Sequence, residues 1–201
     1  DLSAYANINR KTLEYDLDRQ YNNKVKALYA SILEFISKAQ THLPEDDSNR
    51  LFELRDACLG IVSSVKEIKH LRKNIAVYIH SDNQDIRHEY NNLRVQIAEM
   101  LREIHNLEQA DEDERDILAL DAFKLDISED NVIATGKLDT LIRDGKISAI
   151  MASSLMNDLN YARDAIWHLA DVAKALFGAT DALSKEAEEL LSLSEEDIAR
   201  I

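Results

Sequence analysis

The chain has 201 residues and a net charge of −14, with 45% hydrophobic and 31% charged residues but only four glycines and one proline. Its size suits one domain or two small ones, and the scarcity of breakers among so many charged residues points to long helices. The acidic balance excludes nucleic acid as a partner. The single cysteine, Cys58, excludes an internal disulfide and is expected as a small core residue in a reducing compartment.

No apolar run reaches the ~18–20 residues needed to cross a bilayer, and no signal peptide is visible. The first residue is Asp1 rather than Met. The expectation is a chain processed, or cut from a longer one.

Taken in order, the helical period predicts helices over 11–41, 48–80, 84–109, 112–143 and 146–177, with a weaker amphipathic piece at 183–200. The first carries Leu17, Tyr21, Val25, Leu28, Ile32, Phe35 and Ile36 on one side. A break at 42–49 holds the only proline, with Asp47 or Ser48 as a start signal for the second helix. That helix carries Leu51, Leu54, Cys58, Ile61, Val65, Ile68, Ile75 and Ile79 on one side. At 80–85, Ser81 and Gln84 have capping-box spacing, and 109–116 is an acidic turn. Gly145 and Gly178 stand where helix C-termini want glycine. No sustained period-2 alternation suggests a strand. Short breaks make neighbouring helices antiparallel. The simplest arrangement is an all-α bundle of two three-helix units in tandem, 1–109 and 110–201.

The fifth helix carries a file of polar groups: Asn157, Asn160, Asp164, His168 and Asp171, in steps of 3, 4, 4 and 3. Such steps align side chains along one helix face, opposite Leu155, Leu159, Ala162, Leu169, Ala173 and Leu176. Asp164, His168 and Asp171 can reach one point above the helix, a donor set suited to a divalent or iron ion. The same file also reads as solvated surface. Asp158 differs, because it lies on the apolar side and needs a partner or an altered pKa. A bond to a Lys, Arg or His of a neighbouring helix is the expectation.

Lys66, Lys69, His70, Arg72 and Lys73 make a dense basic patch, offset only by Glu67. It suits phosphate or acidic head groups, or it pairs with acidic helices. Glu67-x-x-His70 has the spacing of di-iron bundles, but the nearest second copy is Asp85-x-x-His88 and no full ligand set exists. Trp167, the only tryptophan, falls away from the apolar side as a packing or contact residue. There is no glycine-rich phosphate loop, nucleophile elbow or Cys-x-x-Cys. The expectation is therefore a protein without catalysis of its own.

Two stretches, HLRKNIAVYIHSDNQDIRHEYNNLR (70–94) and LDTLIRDGKISAIMASSLMNDLNYARDA (138–165), resemble the C-terminal PhoU-like domain of bacterial sodium/phosphate cotransporter family proteins. The resemblance covers most of 11–178. The Arg143-Asp144-Gly145-Lys146 turn and the Ser154-Leu155-Met156-Asn157-Asp158 run are its most specific parts. It implies a PhoU-like tandem of three-helix bundles that regulates phosphate uptake. It also implies a membrane transport domain in the same polypeptide, and a place at the cytoplasmic face of the plasma membrane.

PhoU proteins present a Glu/Asp-x-x-x-Asp motif outward in each bundle, where metal clusters bind. The matching positions here are Lys66-x-x-x-His70 and Asn160-x-x-x-Asp164, and only Asp164 matches in full. Lys66 repels a cation and makes phosphate the more natural ligand there. The expected function is a regulatory or docking domain of a sodium-dependent phosphate transporter, with phosphate or a metal as ligand and a homodimer as a further expectation. A metal-binding bundle, whether enzyme or store, and a purely structural dimerisation module are the alternatives.

Overall fold

The computed structural model describes residues 16–39, 45–111, 114–129 and 131–178. The expected piece at 183–200 and residues 11–15 of the first expected helix lie outside them, as does Pro44. Among the described residues every regular element is a helix. None is long and apolar enough to cross a membrane.

The first helix, α1, runs as Leu17–Gln20, a π-helical turn at Tyr21–Val25, and Lys26–Ala39. Asp16 caps it by accepting from the Arg19 N–H at 2.9 Å. Of the expected apolar side only Tyr21 and Ile36 are buried, while Leu28 and Phe35 stay exposed. The long helix α2 spans Glu45–Tyr78, and α3 spans Gln84–Gln109. The cap of α3 is Asn83, whose side chain accepts from the Ile86 N–H at 3.1 Å, not the Ser81–Gln84 box the spacing suggests. The Asn83 amide also donates to the Lys146 carbonyl at 2.6 Å, tying two distant turns together.

The single helix expected over 112–143 is two: α4, Leu118–Glu129, and α5, Lys137–Arg143. Asn131 makes the break, its side chain accepting from the backbone N–H of Ile133 and of Ala134, both at 2.9 Å. Local bonds of this kind compete with the helical ladder. Gly136 then turns the chain with φ 71°, a conformation costly for any residue with a Cβ. Gly145, at φ 67°, ends α5 as its position suggests, with the Lys146 N–H donating to the Leu141 carbonyl at 2.9 Å. Ser148 then caps α6, Ala149–Phe177, by accepting from the Met151 N–H at 3.2 Å. Gly178 follows α6 with φ −63°, so it is not a left-handed stop.

The most extensive helix contact is α2 with α6, followed by α3 with α6. Small residues bring α2 and α6 together: Ala57, Gly60 and Ser64 from one, Ala162 and Ala165 from the other. A Cβ on Gly60 would meet Val172 Cγ2 at 2.7 Å, so only glycine fits without displacement. Ser64 Oγ donates to the Ala165 carbonyl at 3.3 Å and back to Gly60 at 2.9 Å. The two helices run antiparallel, because Gly60 lies at Val172, Ser64 at Ala165 and His70 at Tyr161.

Two core clusters result. One gathers Leu71, Ile86, Tyr90, Leu93, Leu138, Leu141 and Leu155. The other gathers Met100, Leu107, Leu120, Ile127, Ile166 and Ala170. Each draws on residues from both of the expected units, 1–109 and 110–201. Burial of this apolar surface, at roughly 25 cal/mol per Å², is the main force assembling the bundle. Because α2 meets neighbours on several sides, it has no single apolar face.

Candidate ligand and docking face

α6 buries Leu155, Asp158, Ala162, Ala165, Ile166 and Ala173, and turns the polar file the other way. Asn157, Asn160 and Asp171 are exposed, and Asp164 and His168 are half-buried. The file borders α2, because His168 and Asp171 line an open groove of about 430 Å³ together with Asp56, Gly60, Ser63 and Val172.

Each charged member already has a partner. Arg163 holds Asp164 at 2.9 Å, and Lys124 of α4 holds Asp171 at 3.0 Å. Among the described residues no group of three His, Cys, Asp or Glu side chains is placed to hold a metal ion. Asp164, His168 and Asp171 therefore share a face without converging as a ligand set, and this arrangement does not fit a multinuclear cluster. Trp167 sits beside the file, with the Lys124 ammonium and the Arg163 guanidinium each 5.4 Å from its ring.

The basic patch divides. Lys69 turns toward α1, where it pairs with Asp18 at 2.7 Å and lies 5.2 Å over the Tyr21 ring. That pairing holds the Asp18 carboxyl below its ordinary range, with Lys73 and Arg72 adding to the effect. His70 turns toward α6 and stacks on Tyr161 with 5.1 Å between ring centres. Lys66 and Lys73 are exposed, and Arg72 is partly buried. The five residues are thus not one anion cradle. His70 reaches α6 at Tyr161, Lys66 is exposed one turn away, and Lys69 helps to seat α1.

Asp158 is 1% exposed, as its place on the apolar side implies, but its partner is not a cation. Tyr90 Oη donates to Asp158 Oδ2 at 2.6 Å, and Asn74 supplies a second hydrogen bond. Burial pushes the Asp158 carboxyl up, and these two bonds pull it part of the way back. Tyr90, stacked on Tyr78 at 4.8 Å, is pushed up by burial and by its bond to Asp158. α2, α3 and α6 meet at this point.

A second buried acid escaped the sequence reading. Glu89 is 3% exposed and pairs with Lys137 from the first turn of α5 at 2.5 Å. Its i+4 spacing from Asp85 gave no sign of burial. The signal was Ile86, Tyr90 and Leu93, whose apolar stripe has Glu89 at its edge. The groove beside it, lined by Asp85, Arg87, His88 and Asn91, contains the Asp85–His88 pair but no second carboxylate–histidine set facing it.

Comparison of the chain with protein-family models, with curated proteins and with solved structures gives no match.

Proposed function

We propose that the chain is a regulatory and docking domain of a sodium-dependent phosphate transporter, built as a PhoU-like tandem and without catalysis of its own. The observation that carries this reading is the outward file of amide, imidazole and carboxylate groups on α6, with His70 of α2 stacked against that helix and Lys66 exposed one turn away on α2. The resemblance at 70–94 and 138–165 supports it, since those stretches supply His70, Arg72 and Lys73 of the basic patch and Asn157, Asn160 and Asp164 of the file.

The domain sits at the cytoplasmic face of the plasma membrane and reads phosphate there. A ligand on the α2/α6 face favours one docked arrangement over another only if it binds the two with different affinity. The mixed character of the face, with lysine, imidazole, amide and aspartate all present, suits phosphate or a protein surface better than a cation cluster.

Calorimetric titration of the domain with phosphate, and with Mg²⁺, Mn²⁺, Fe²⁺ and Zn²⁺, tests the reading. Phosphate binding that weakens in Lys66→Glu is the expected result. Absence of binding, together with phosphate transport unchanged on deleting the domain, rejects the sensing role.

A further inference from the structure

α2 meets α6 through Ala57, Gly60 and Ser64, reaches α1 through Lys69, and sends Ile68 and Ile75 into the first core cluster. The side left over runs from Phe52 to Val77 in steps of 4, 3, 4, 3, 4, 3 and 4. It is exposed along its length apart from Ser63, with Phe52 at 38% and Val77 at 61%. Steps of 3 and 4 set these side chains in one line along the helix, with Phe52, Leu59 and Val77 as its apolar members.

This stripe is its own complement when reversed. Set antiparallel against another copy, Phe52 faces Val77, and Asp56 faces Lys73. Leu59 faces the His70 ring, and Ser63 faces Lys66. Each pair is equidistant from the midpoint between Ser63 and Lys66. The file on α6 obeys the same symmetry, because Ser64 lies at Ala165. Asn157 comes opposite Asp171, and Asn160 opposite His168. At the centre Asp164 meets its own counterpart, each already balanced by Arg163.

Charge and area both favour a second copy as occupant. The chain carries −14 overall, but on this face Lys66, Lys73 and Arg163 stand against Glu53, Asp56, Asp164 and Asp171, so both signs are present and self-repulsion is small. From Phe52 to Val77 the face is about 38 Å long at 1.5 Å per residue. Two helices of ~10 Å diameter give it a width of roughly 20 Å. The resulting ~700 Å² per copy falls within the range of specific, stable interfaces.

We infer that the α2/α6 face is a homodimer interface in which α2 packs on α2 and α6 on α6, each pair antiparallel about a twofold axis between Ser63 and Lys66. This deepens the docking reading by naming the occupant of that face, and the two fail separately.

Sedimentation equilibrium of the chain across micromolar to submillimolar concentrations tests the interface, with circular dichroism to verify the fold of each variant. The expected result is a reversible dimer. Asp56→Lys or Lys73→Asp alone weakens it by about tenfold or more, since each change places like charges opposite at two symmetry-related points. Asp56→Lys combined with Lys73→Asp restores it, because the exchanged charges face each other again. A monomer at every concentration overturns the inference. So does a dimer unmoved by either single change, or a double variant no tighter than the weaker single one. Loss of phosphate binding with the dimer intact would reject the sensing role and leave this interface standing.

Discussion

Tyr90 of α3 donates a 2.6 Å hydrogen bond to Asp158 of α6 at a depth where neither side chain reaches water. With Asn74 of α2 as the second donor, one carboxylate holds three helices in register. A buried carboxylate with only neutral partners is costly when ionised. Because burial raises its pKa, the folded protein keeps the Asp158 proton to higher pH than the unfolded chain does. The group's contribution to stability is therefore fullest below the ordinary carboxylate range and falls as pH rises through the Asp158 pKa. Asp158→Asn keeps an acceptor for Tyr90 without the charge. Urea unfolding at mildly alkaline pH is expected to find it more stable than the parent by about 1 kcal/mol, with the gap closing in acid. Asp158→Ala leaves a hole and an unpartnered Tyr90 hydroxyl, and loses ~2–3 kcal/mol in acid and about 1 kcal/mol less than that at mildly alkaline pH.

Gly60 and Val172 set how closely α2 and α6 approach. A methyl group at position 60 would press on Val172 Cγ2 at 2.7 Å, and valine, stiff at χ1, cannot swing aside. Overpacking of this kind costs ~1–3 kcal/mol, against a gain of about 1 kcal/mol in helix propensity. Gly60→Ala alone is expected to destabilise by roughly 1 kcal/mol. The same change made in a Val172→Ala background is expected to stabilise by up to ~1 kcal/mol, because only the propensity gain remains. A double-mutant cycle by thermal or urea unfolding measures this coupling, and additive effects would count against the close approach.

Lys69 and Asp18 join α2 to the first turn of α1. The Asp18 carboxyl is held below its usual range chiefly by the hydrogen bond from Lys69. Its contribution to stability is present above the ordinary carboxylate range and is lost as pH falls through the depressed pKa. Carboxyl ¹³C shifts followed through an acid titration are expected to place Asp18 low in the parent and back in the ordinary range in Lys69→Met. An unchanged titration would mean that Lys69 is free for other work.

The helices were legible in the sequence where local chemistry closes them. α3 matches the expected 84–109, and the turn before α6 follows from Gly145, while the unread Ser148 cap moves the start of α6 from the expected 146 to Ala149. The break at Asn131 was not, because the apolar period of Leu120 and Ile127 continues through Leu138 and Leu141 and outweighs one asparagine. Gly136 was the unused sign.

Asp158 stood out from its place on the apolar side, but its partner lies 68 residues away on another helix, and no local spacing reports that. The outward placement of the α6 file likewise followed from periodicity. Its neighbourhood did not, since His70 and Asp56 come beside α6 only through the α2–α6 register fixed at Ser64 and Ala165.

The π-helical turn at Tyr21–Val25 makes α1 a rod whose length cannot be edited freely. Such a turn stores one residue more than a regular helix would use over the same rise. Losing one residue from it would regularise the coil and leave both flanks near their present register, whereas adding a further residue there would swing everything ahead of it by about 100° around the axis. Asp18 would then point away from Lys69, while the stretch from Lys26 onward kept its seat. A one-residue insertion here would act as a rotation, unfastening one end of a helix whose other end stays docked.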